Sequence, residues 1–228
     1  GDPDEPFAFL KEDGSLKEDA GGFEIVSHPA TLEEHKKRWP AFLGKNAHPD
    51  LKSHDTGCCG MHVHLNKSGL SEFHVGKMLE FVNAKSNRAF MEKVARRPHG
   101  EWAEYDDSEK IASVRQPRGS NRYRAVNLIP KKTVEFRIFK GTLKPQSFYR
   151  TLEFVDALQS FTHTHAPHSL VGTEEFAAHV AKGKASWPHL HAMSQEFHGH
   201  TVDRPEHLAK VFFEPALFHV TMRFGRIR

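Results

Sequence analysis

The sequence predicts an α+β fold in which an antiparallel β-ribbon is combined with amphipathic helices. The ribbon is indicated by residues 133–139, where apolar and polar side chains alternate as in a strand with one buried face. A second short strand at 123–128, joined to the first by a turn at 129–132, would pair with it in the antiparallel sense. Helices are indicated by apolar residues at helical spacing over 71–94 and 146–163.

The N-terminal part predicts two more strands and a helix. Residues 7–10 can form a short strand, and residues 23–27 alternate so that Glu24 projects from a second one. A helix with an acidic first turn is expected over 31–43 despite its internal proline. The polar, turn-rich residues 44–56 then predict a surface loop.

A strand within residues 57–66 is the next expected element. Its methionine, valine and leucine alternate with His62 and His64, so the two imidazoles share one face of the strand. This spacing places two potential metal ligands side by side.

The connections and the C-terminal part are less regular. Residues 96–121 are charged and without period, which is typical of a lid or binding loop. Two further helices are expected at 173–183 and 187–197. Residues 204–228 predict no single structure, and 218–222 could be a strand or a docking tail.

The amino-acid composition limits which classes of function are expected. The chain has 228 residues, of which 38% are hydrophobic and 11% aromatic, which is enough for a sizeable core. Lysine and arginine number 32 against 29 acidic residues, a net charge of +3 that excludes a dedicated nucleic-acid binder. The basic segment 96–124 does not show the regular interleaving of basic and aromatic residues that is typical of a single-strand-binding surface, so nucleic acid is not an expected partner.

The cysteines indicate a reducing environment. Cys58 and Cys59 are adjacent, so they cannot join distant segments by a disulfide. We expect small buried residues entering a strand rather than a nucleophile, because no activating neighbour is evident. No stretch has the apolar length of a membrane span, and a cytoplasmic protein without a membrane partner is the expectation.

The histidine pair leaves two interpretations open. His62 and His64 could bind a metal, although a zinc site needs about four ligands and the usual cysteine and histidine spacing is missing. They could equally be hydrogen-bonded histidines on a polar sheet face, since the chain contains 18 histidines. The first interpretation admits a metal-dependent hydrolase that needs further ligands and no ATP.

The charged residues of the ribbon leave a similar choice. Glu135 lies beside Arg137, and Arg122 and Arg124 share a face of the preceding strand, a composition suited to an anionic substrate and a divalent cation. The alternative is an ion pair on an exposed sheet face and a solvated basic loop, which would also include Arg115 and Arg118. No Walker-type or dinucleotide-binding fingerprint occurs.

Three segments of the sequence, taken in order, carry a resemblance to a known family. They are GFEIVSHP at 22–29 after the turn Asp13-Gly14-Ser15-Leu16, CGMHVH at 59–64, and RYRAVNL at 122–128 leading to TVEFRIFKGTL at 133–143. Together they resemble the amidoligases, which are grouped with the carboxylate–amine ligases related to glutamine synthetase and glutamate–cysteine ligase. The similarity covers roughly 7–161, and its last segment is the most specific.

The resemblance implies an antiparallel sheet curved into a glutamine synthetase-like bowl, with helices on its outer face and ATP and Mg²⁺ on its concave face. Residues 1–165 would form the catalytic domain, and 166–228 a helical C-terminal extension of the same domain. In such enzymes ATP phosphorylates a carboxylate to an acyl phosphate, which an amine attacks to form an amide. The implied partners are small-molecule or peptide carboxylates and amines.

The resemblance also implies roles for individual residues. Glu24, Glu135 and His62 would lie at magnesium. His62 and His64, with Arg122 and Arg137, would contact the nucleotide. Arg122, Arg124 and Arg137 would stabilise the transferring phosphoryl group and the carboxylate, which agrees with the chemistry of these side chains.

One feature departs from the family pattern. Relatives carry an early strand with closely spaced glutamates, and nothing equivalent precedes Phe7 here. Either that strand lies before Gly1 in a longer protein, or part of the metal site is lost. The second case would suit a non-catalytic member of the fold with a structural or interaction role.

Overall fold

An antiparallel sheet with helices packed on one face organises the part of the protein that the structure describes. The computed structural model describes residues 6–12, 22–43, 51–53, 59–98, 100–108, 111–115, 122–164, 172–199 and 215–226. The strands are β1 Ala8–Glu12, β2 Phe23–Ser27, β3 Leu51–Lys52, β4 Gly60–Asn66, β5 Val126–Asn127, β6 Thr133–Lys140 and β7 Phe218–Arg226. The helices are α1 Leu32–Arg38, α2 Glu72–Asn83, α3 Arg88–Ala95, α4 Pro145–Thr164, α5 Thr173–Lys182 and α6 Pro188–His198.

The sheet confirms the predicted α+β class. Its strands follow the order β1-β2-β7-β4-β6-β5, every named pairing is antiparallel, and the sheet is not closed within the described residues. The short strand β3 pairs with the last residues of β7. It lies in a segment expected to be loop, and its two residues are too few to show a period.

The last strand occupies the middle of the sheet. β7 pairs with β2 on one side and with β4 on the other, so the C-terminal segment joins the two parts of the sheet. α5 and α6 match the helices expected at 173–183 and 187–197, but β7 departs from the expectation that 166–228 is a helical extension. The alternation seen at 218–222 simply continues to Phe224.

The core lies between the sheet and the helices. Side chains of the four central strands point alternately towards the helical layer, and those that do are almost fully buried. They are Ile25, Met61, Val63, Leu65, Val134, Phe136, Val220, Met222 and Phe224. Phenylalanines from four helices meet them, and Phe81, Phe90, Phe154, Phe161 and Phe176 form a cluster of edge-on and tilted rings. None of the helices in these residues has the length and apolar character needed to cross a membrane.

A β-bulge shapes the second half of β6. Met61 pairs with Phe139 and Val63 with Phe136, so β6 carries one residue more than β4 over this interval. Arg97 binds the bulge from outside, donating from Nε to the carbonyl of Ile138 and from Nη2 to that of Arg137, both at 2.7 Å. Arg96 donates to the carbonyl of Lys140. Arg96 and Arg97 thus bind the strand edge, at the start of a segment expected to be a lid or binding loop.

Two predicted helices are shorter than expected. The helix expected over 71–94 is interrupted after Asn83, because Ala84 adopts an extended backbone conformation and Asn83 uses its side chain to bind Leu79 and Asp106. The helix expected over 31–43 ends at Arg38 and continues only as a 3-10 turn that contains the proline.

A close approach between two chain segments makes Gly141 sensitive to substitution. A Cβ at this position would overlap the carbonyl oxygen and the Oγ of Ser53, which is fully buried. We expect Gly141→Ala to lower the free energy of unfolding by about 1–3 kcal/mol, as overpacking does, in urea denaturation. Gly100→Ala is the control, because nothing lies within 4 Å of its Cβ position. Equal stability of the two variants would contradict this packing.

Candidate functional site

The face of the sheet opposite the helices carries polar side chains from adjacent strands. They are Glu24 on β2, His219, Thr221 and Arg223 on β7, His62 and His64 on β4, Glu135 and Arg137 on β6, and Asn127 on β5. Each strand supplies them at alternate positions, since the residues between them belong to the core. Most of these side chains are nonetheless buried, which distinguishes this face from an ordinary solvated sheet surface.

Glu135 is the hub of this polar face. Its Oε1 lies 2.6 Å from Arg137 Nη1, 3.2 Å from His62 Nδ1 and 3.8 Å from His64 Nε2. Its Oε2 accepts a hydrogen bond of 2.7 Å from Asn127 Nδ2. The side chains of Glu135 and Arg137 are each 8% exposed, so the alternative of an exposed surface ion pair is wrong. Such a buried pair requires the surrounding donors that the structure supplies.

The protonation states of the cluster follow from burial and charge. Burial alone would raise the pKa of Glu135, but hydrogen bonding to His62 and the charge of Arg137 outweigh it and hold the pKa well below its usual range. Burial lowers the pKa of His62 and of His64 to about 4 in each case. At neutral pH the cluster therefore holds a carboxylate and two neutral imidazoles, the forms that bind metal ions.

His219 extends the cluster onto β7. It pairs with His64 across the two strands, and their rings stack with centroids 4.3 Å apart and planes 9° apart. The pKa of His219 is lowered to about 4, mainly by burial and to a smaller extent by the neighbouring His64. Three neutral imidazoles thus line the centre of the polar face.

His62, His64 and Glu135 could hold a metal ion. One ligand atom from each residue can be chosen so that all three lie within 4.8 Å of one another. Two ligands of a tetrahedral zinc ion with bonds of about 2.1 Å are separated by roughly 3.4 Å, so the 3.2 and 3.8 Å distances to Glu135 are compatible with a shared ion. Two nitrogens and one oxygen suit zinc or a similar transition metal better than magnesium, which prefers oxygen ligands.

Glu24 forms a second carboxylate–guanidinium pair at the other end of the face. Its Oε1 accepts a hydrogen bond of 3.0 Å from Arg223 Nε. β2 and β6 are separated by β7 and β4, and Glu24 pairs with Arg223, four residues along β7 from the row that contains His64 and Glu135. Among the described residues, Glu24 is not part of the group of potential ligand atoms formed by His62, His64 and Glu135, so the two carboxylates are assigned to separate sites.

The arginines of the sequence analysis separate into different environments. Arg137 lies within the cluster, but Arg124 forms an ion pair of 2.9 Å with Asp106. Arg122 is exposed and donates to the hydroxyl of Tyr123 at 3.2 Å. The guanidinium of Arg137 lies over the same ring, 5.8 Å from its centroid, so Tyr123 connects Arg122 to the cluster.

The remaining candidates lie away from this face. Cys59 is buried just before β4, as expected of a small core residue, and Cys58 lies outside the described residues. Arg115 forms an exposed ion pair with Glu72. Arg118 also lies outside the described residues.

Four residues of the polar face, Asn127, His219, Thr221 and Arg223, were not identified from the sequence. Asn127 was within a predicted strand, but nothing in its local pattern indicates that its amide binds Glu135. His219 and Arg223 could have been found, because they alternate with buried Phe218, Val220, Met222 and Phe224. Their position beside β4 and β2 depends on a long-range pairing that local periodicity does not indicate.

Comparison with known proteins adds no assignment to this geometry. Neither a family model, nor a curated protein, nor a solved structure matches the chain.

Proposed function

We propose that the protein is an ATP- and Mg²⁺-dependent carboxylate–amine ligase that uses the polar face of its sheet as the active site. The observation that carries the proposal is the arrangement of two carboxylate–guanidinium pairs, Glu24–Arg223 and Glu135–Arg137, on either side of neutral histidines. In this proposal the polar face is the concave side of a glutamine synthetase-like bowl. The ordered motifs of the amidoligase resemblance support the same function.

The donor set is compatible with magnesium bound together with a nucleotide. Mg²⁺ is usually held by one or two carboxylates while substrate phosphates and water complete its coordination, so it needs no dedicated cage. Glu24 and Glu135 would provide these carboxylates, each next to an arginine that can neutralise a phosphate. Magnesium would supply charge neutralisation to the phosphates, and the arginines would bind and orient them.

The reaction would proceed in two balanced steps. A carboxylate oxygen of the acid attacks the γ-phosphorus of ATP and ADP leaves, which forms an acyl phosphate. The amine nitrogen then attacks the acyl carbon, inorganic phosphate leaves, and the nitrogen loses a proton. Arg137 and Arg122 would stabilise negative charge during the transfer, and the departing phosphate, a stronger base than His64 with its lowered pKa, would take the proton.

The test is isothermal titration of a non-hydrolysable ATP analogue into the protein with and without Mg²⁺. We expect binding that requires Mg²⁺ and becomes at least tenfold weaker in Glu135→Gln and in Glu24→Gln, because each removes a carboxylate charge from the proposed site. Glu174→Gln, at an exposed position of α5, is the matched control and should bind as the wild type does.

Circular dichroism at the titration temperature shows whether each variant is folded. Binding that is independent of Mg²⁺, or equal in all three folded variants, would argue against this site. A positive titration would be followed by a screen of carboxylates and amines for release of ADP and phosphate.

The histidine cluster favours a second candidate function, a metal-dependent hydrolase. Its three potential ligands match the two histidines and one glutamate of several catalytic zinc sites. For this function we expect Zn²⁺ or Co²⁺ to bind without nucleotide, and His62→Gln or His64→Gln to weaken binding at least tenfold, as measured by titration or by the cobalt absorption spectrum. Metal binding that requires ATP would instead favour the ligase.

A further inference from the structure

A cavity within the helical layer has the chemistry of a second ligand site. It is open to solvent on one side and has a volume of about 580 Å³ between the start of α1, the middle of α4, the turn before α6 and residues 215–216. Pockets of this size hold small molecules. Because α1 and α4 cover the core side of the sheet, this cavity is separate from the polar face.

The charge of the cavity is negative because its lysine is already neutralised. Lys36 Nζ lies 2.7 Å from a carboxylate oxygen of Glu153, which is fully buried, and donates a hydrogen bond of 2.6 Å to the carbonyl of Ser186. Asp156 and Glu33 also line the cavity and form no direct ion pair among the described residues, although the charge of Lys36 also favours the ionised form of Asp156. An anionic ligand would therefore meet net repulsion.

Asp156 offers one oxygen to a ligand. Its Oδ2 accepts a hydrogen bond of 2.8 Å from Trp187 Nε1, and no described residue donates to the other oxygen. Burial raises the pKa of this carboxyl group, the hydrogen bond from Trp187 opposes that rise, and a nearby cation would stabilise the charged form further.

Gln159 provides the second polar group. Its side chain lines the same cavity, is only 9% exposed and makes no hydrogen bond with another described residue. Its amide atoms are not among the fully buried, unsatisfied polar atoms of the described residues, so they remain accessible to a ligand. Its carbonyl oxygen can accept a hydrogen bond from an ammonium group already paired with Asp156.

We propose that this cavity binds a small organic cation with a primary ammonium group, which Asp156 and Gln159 recognise while the walls enclose a short apolar chain. The site does not depend on the proposed ligase activity. Its ligand would approach from the helical side and would not compete with substrates at the polar face.

The test is titration of n-butylamine and of 1,4-diaminobutane into ¹⁵N-labelled full-length protein, with butyrate as the anionic comparison. The readout is the indole N–H signal of Trp187, assigned with Trp187→Phe, because this group donates to Asp156. We expect a saturable shift with at least one of the two amines and none with butyrate. Asp156→Asn and Gln159→Met should each weaken amine binding at least tenfold, whereas Asp107→Asn removes an exposed carboxylate and should leave it unchanged.

The variants are nearly isosteric, and their thermal unfolding shows whether they remain folded. If one variant does not fold, the wild-type titrations and the other variant still test whether the cavity binds an amine. The absence of a saturable amine shift, an equal shift with butyrate, or equal weakening in Asp107→Asn would overturn the proposal.

Discussion

Glu135→Leu is expected to lower the free energy of unfolding by about 3–5 kcal/mol, the cost of leaving a buried charge without its partner. The variant removes the carboxylate 2.6 Å from Arg137, whose side chain is 8% exposed, and no other carboxylate is paired with that guanidinium among the described residues. It also leaves the amide of Asn127 without its acceptor. Urea denaturation at pH 7 measures the effect.

A double-mutant cycle identifies the cause of that loss. Glu135→Leu combined with Arg137→Met removes both charges and should recover most of the stability, because an apolar pair needs no desolvated partner. Glu135→Gln retains an acceptor for Arg137 and should cost less than leucine. Additive losses in the double variant would show that the two side chains are not energetically coupled, contrary to the structure.

The sequence predicts the features of this cluster that follow from local strand geometry, but not the contacts between residues far apart in the chain. The alternation correctly places His62 with His64 on one face of β4 and Glu135 with Arg137 on one face of β6, because period two is a local property of a strand. These side chains meet at Oε1 of Glu135 because β4 and β6 pair in a register that places His64 opposite Glu135. Nothing local in either strand specifies that register.

Other features depend on parts of the chain far from the motif. β7 enters the sheet between β2 and β4, so Arg223 reaches Glu24 across nearly the whole sequence. The bulge opposite His62 is bound by Arg97, a residue whose charged surroundings predicted a loop. Arg124 was expected to act together with Arg122 and Arg137, but the strand β5 has only two residues and Arg124 pairs with Asp106 before it begins. Local periodicity carries none of these long-range contacts.

Acid is expected to unfold the protein well above pH 4, because several buried histidines are neutral in the folded state. Burial lowers the pKa of His35, His62, His64 and His219 to about 4 in each case, from 6.5. The unfolded chain therefore binds more protons between pH 6.5 and 4, so the stability from neutral histidines is complete above 6.5 and is lost as the pH falls towards 4. A fully buried imidazole of this kind costs about 2 kcal/mol by pH 5, so a few of them can remove a large part of the roughly 5–15 kcal/mol that stabilises a domain.

His35 allows this effect to be measured away from the polar face. It is fully buried, its Nε2 donates to the carbonyl of Phe218 at 2.8 Å, and its Nδ1 accepts from Trp39 Nε1 at 2.9 Å. Protonation would place an N–H on Nδ1 against the indole N–H, so the bond to Trp39 is lost as the imidazole becomes charged. From pH 7 to pH 5 this residue alone should account for about 2 kcal/mol of lost stability.

His35→Gln is expected to remove that share of the pH dependence, whatever its effect on stability at pH 7, because glutamine does not titrate. Trp39→Phe keeps the imidazole buried and should retain proton uptake on unfolding, although it loses the hydrogen bond. Urea denaturation at pH 7 and at pH 5 gives, for each variant and for the wild type, the free energy of unfolding that is lost on acidification. If His35→Gln loses as much stability on acidification as the wild type, the acid sensitivity resides in the polar face, where His62, His64 and His219 take up protons when the sheet unfolds.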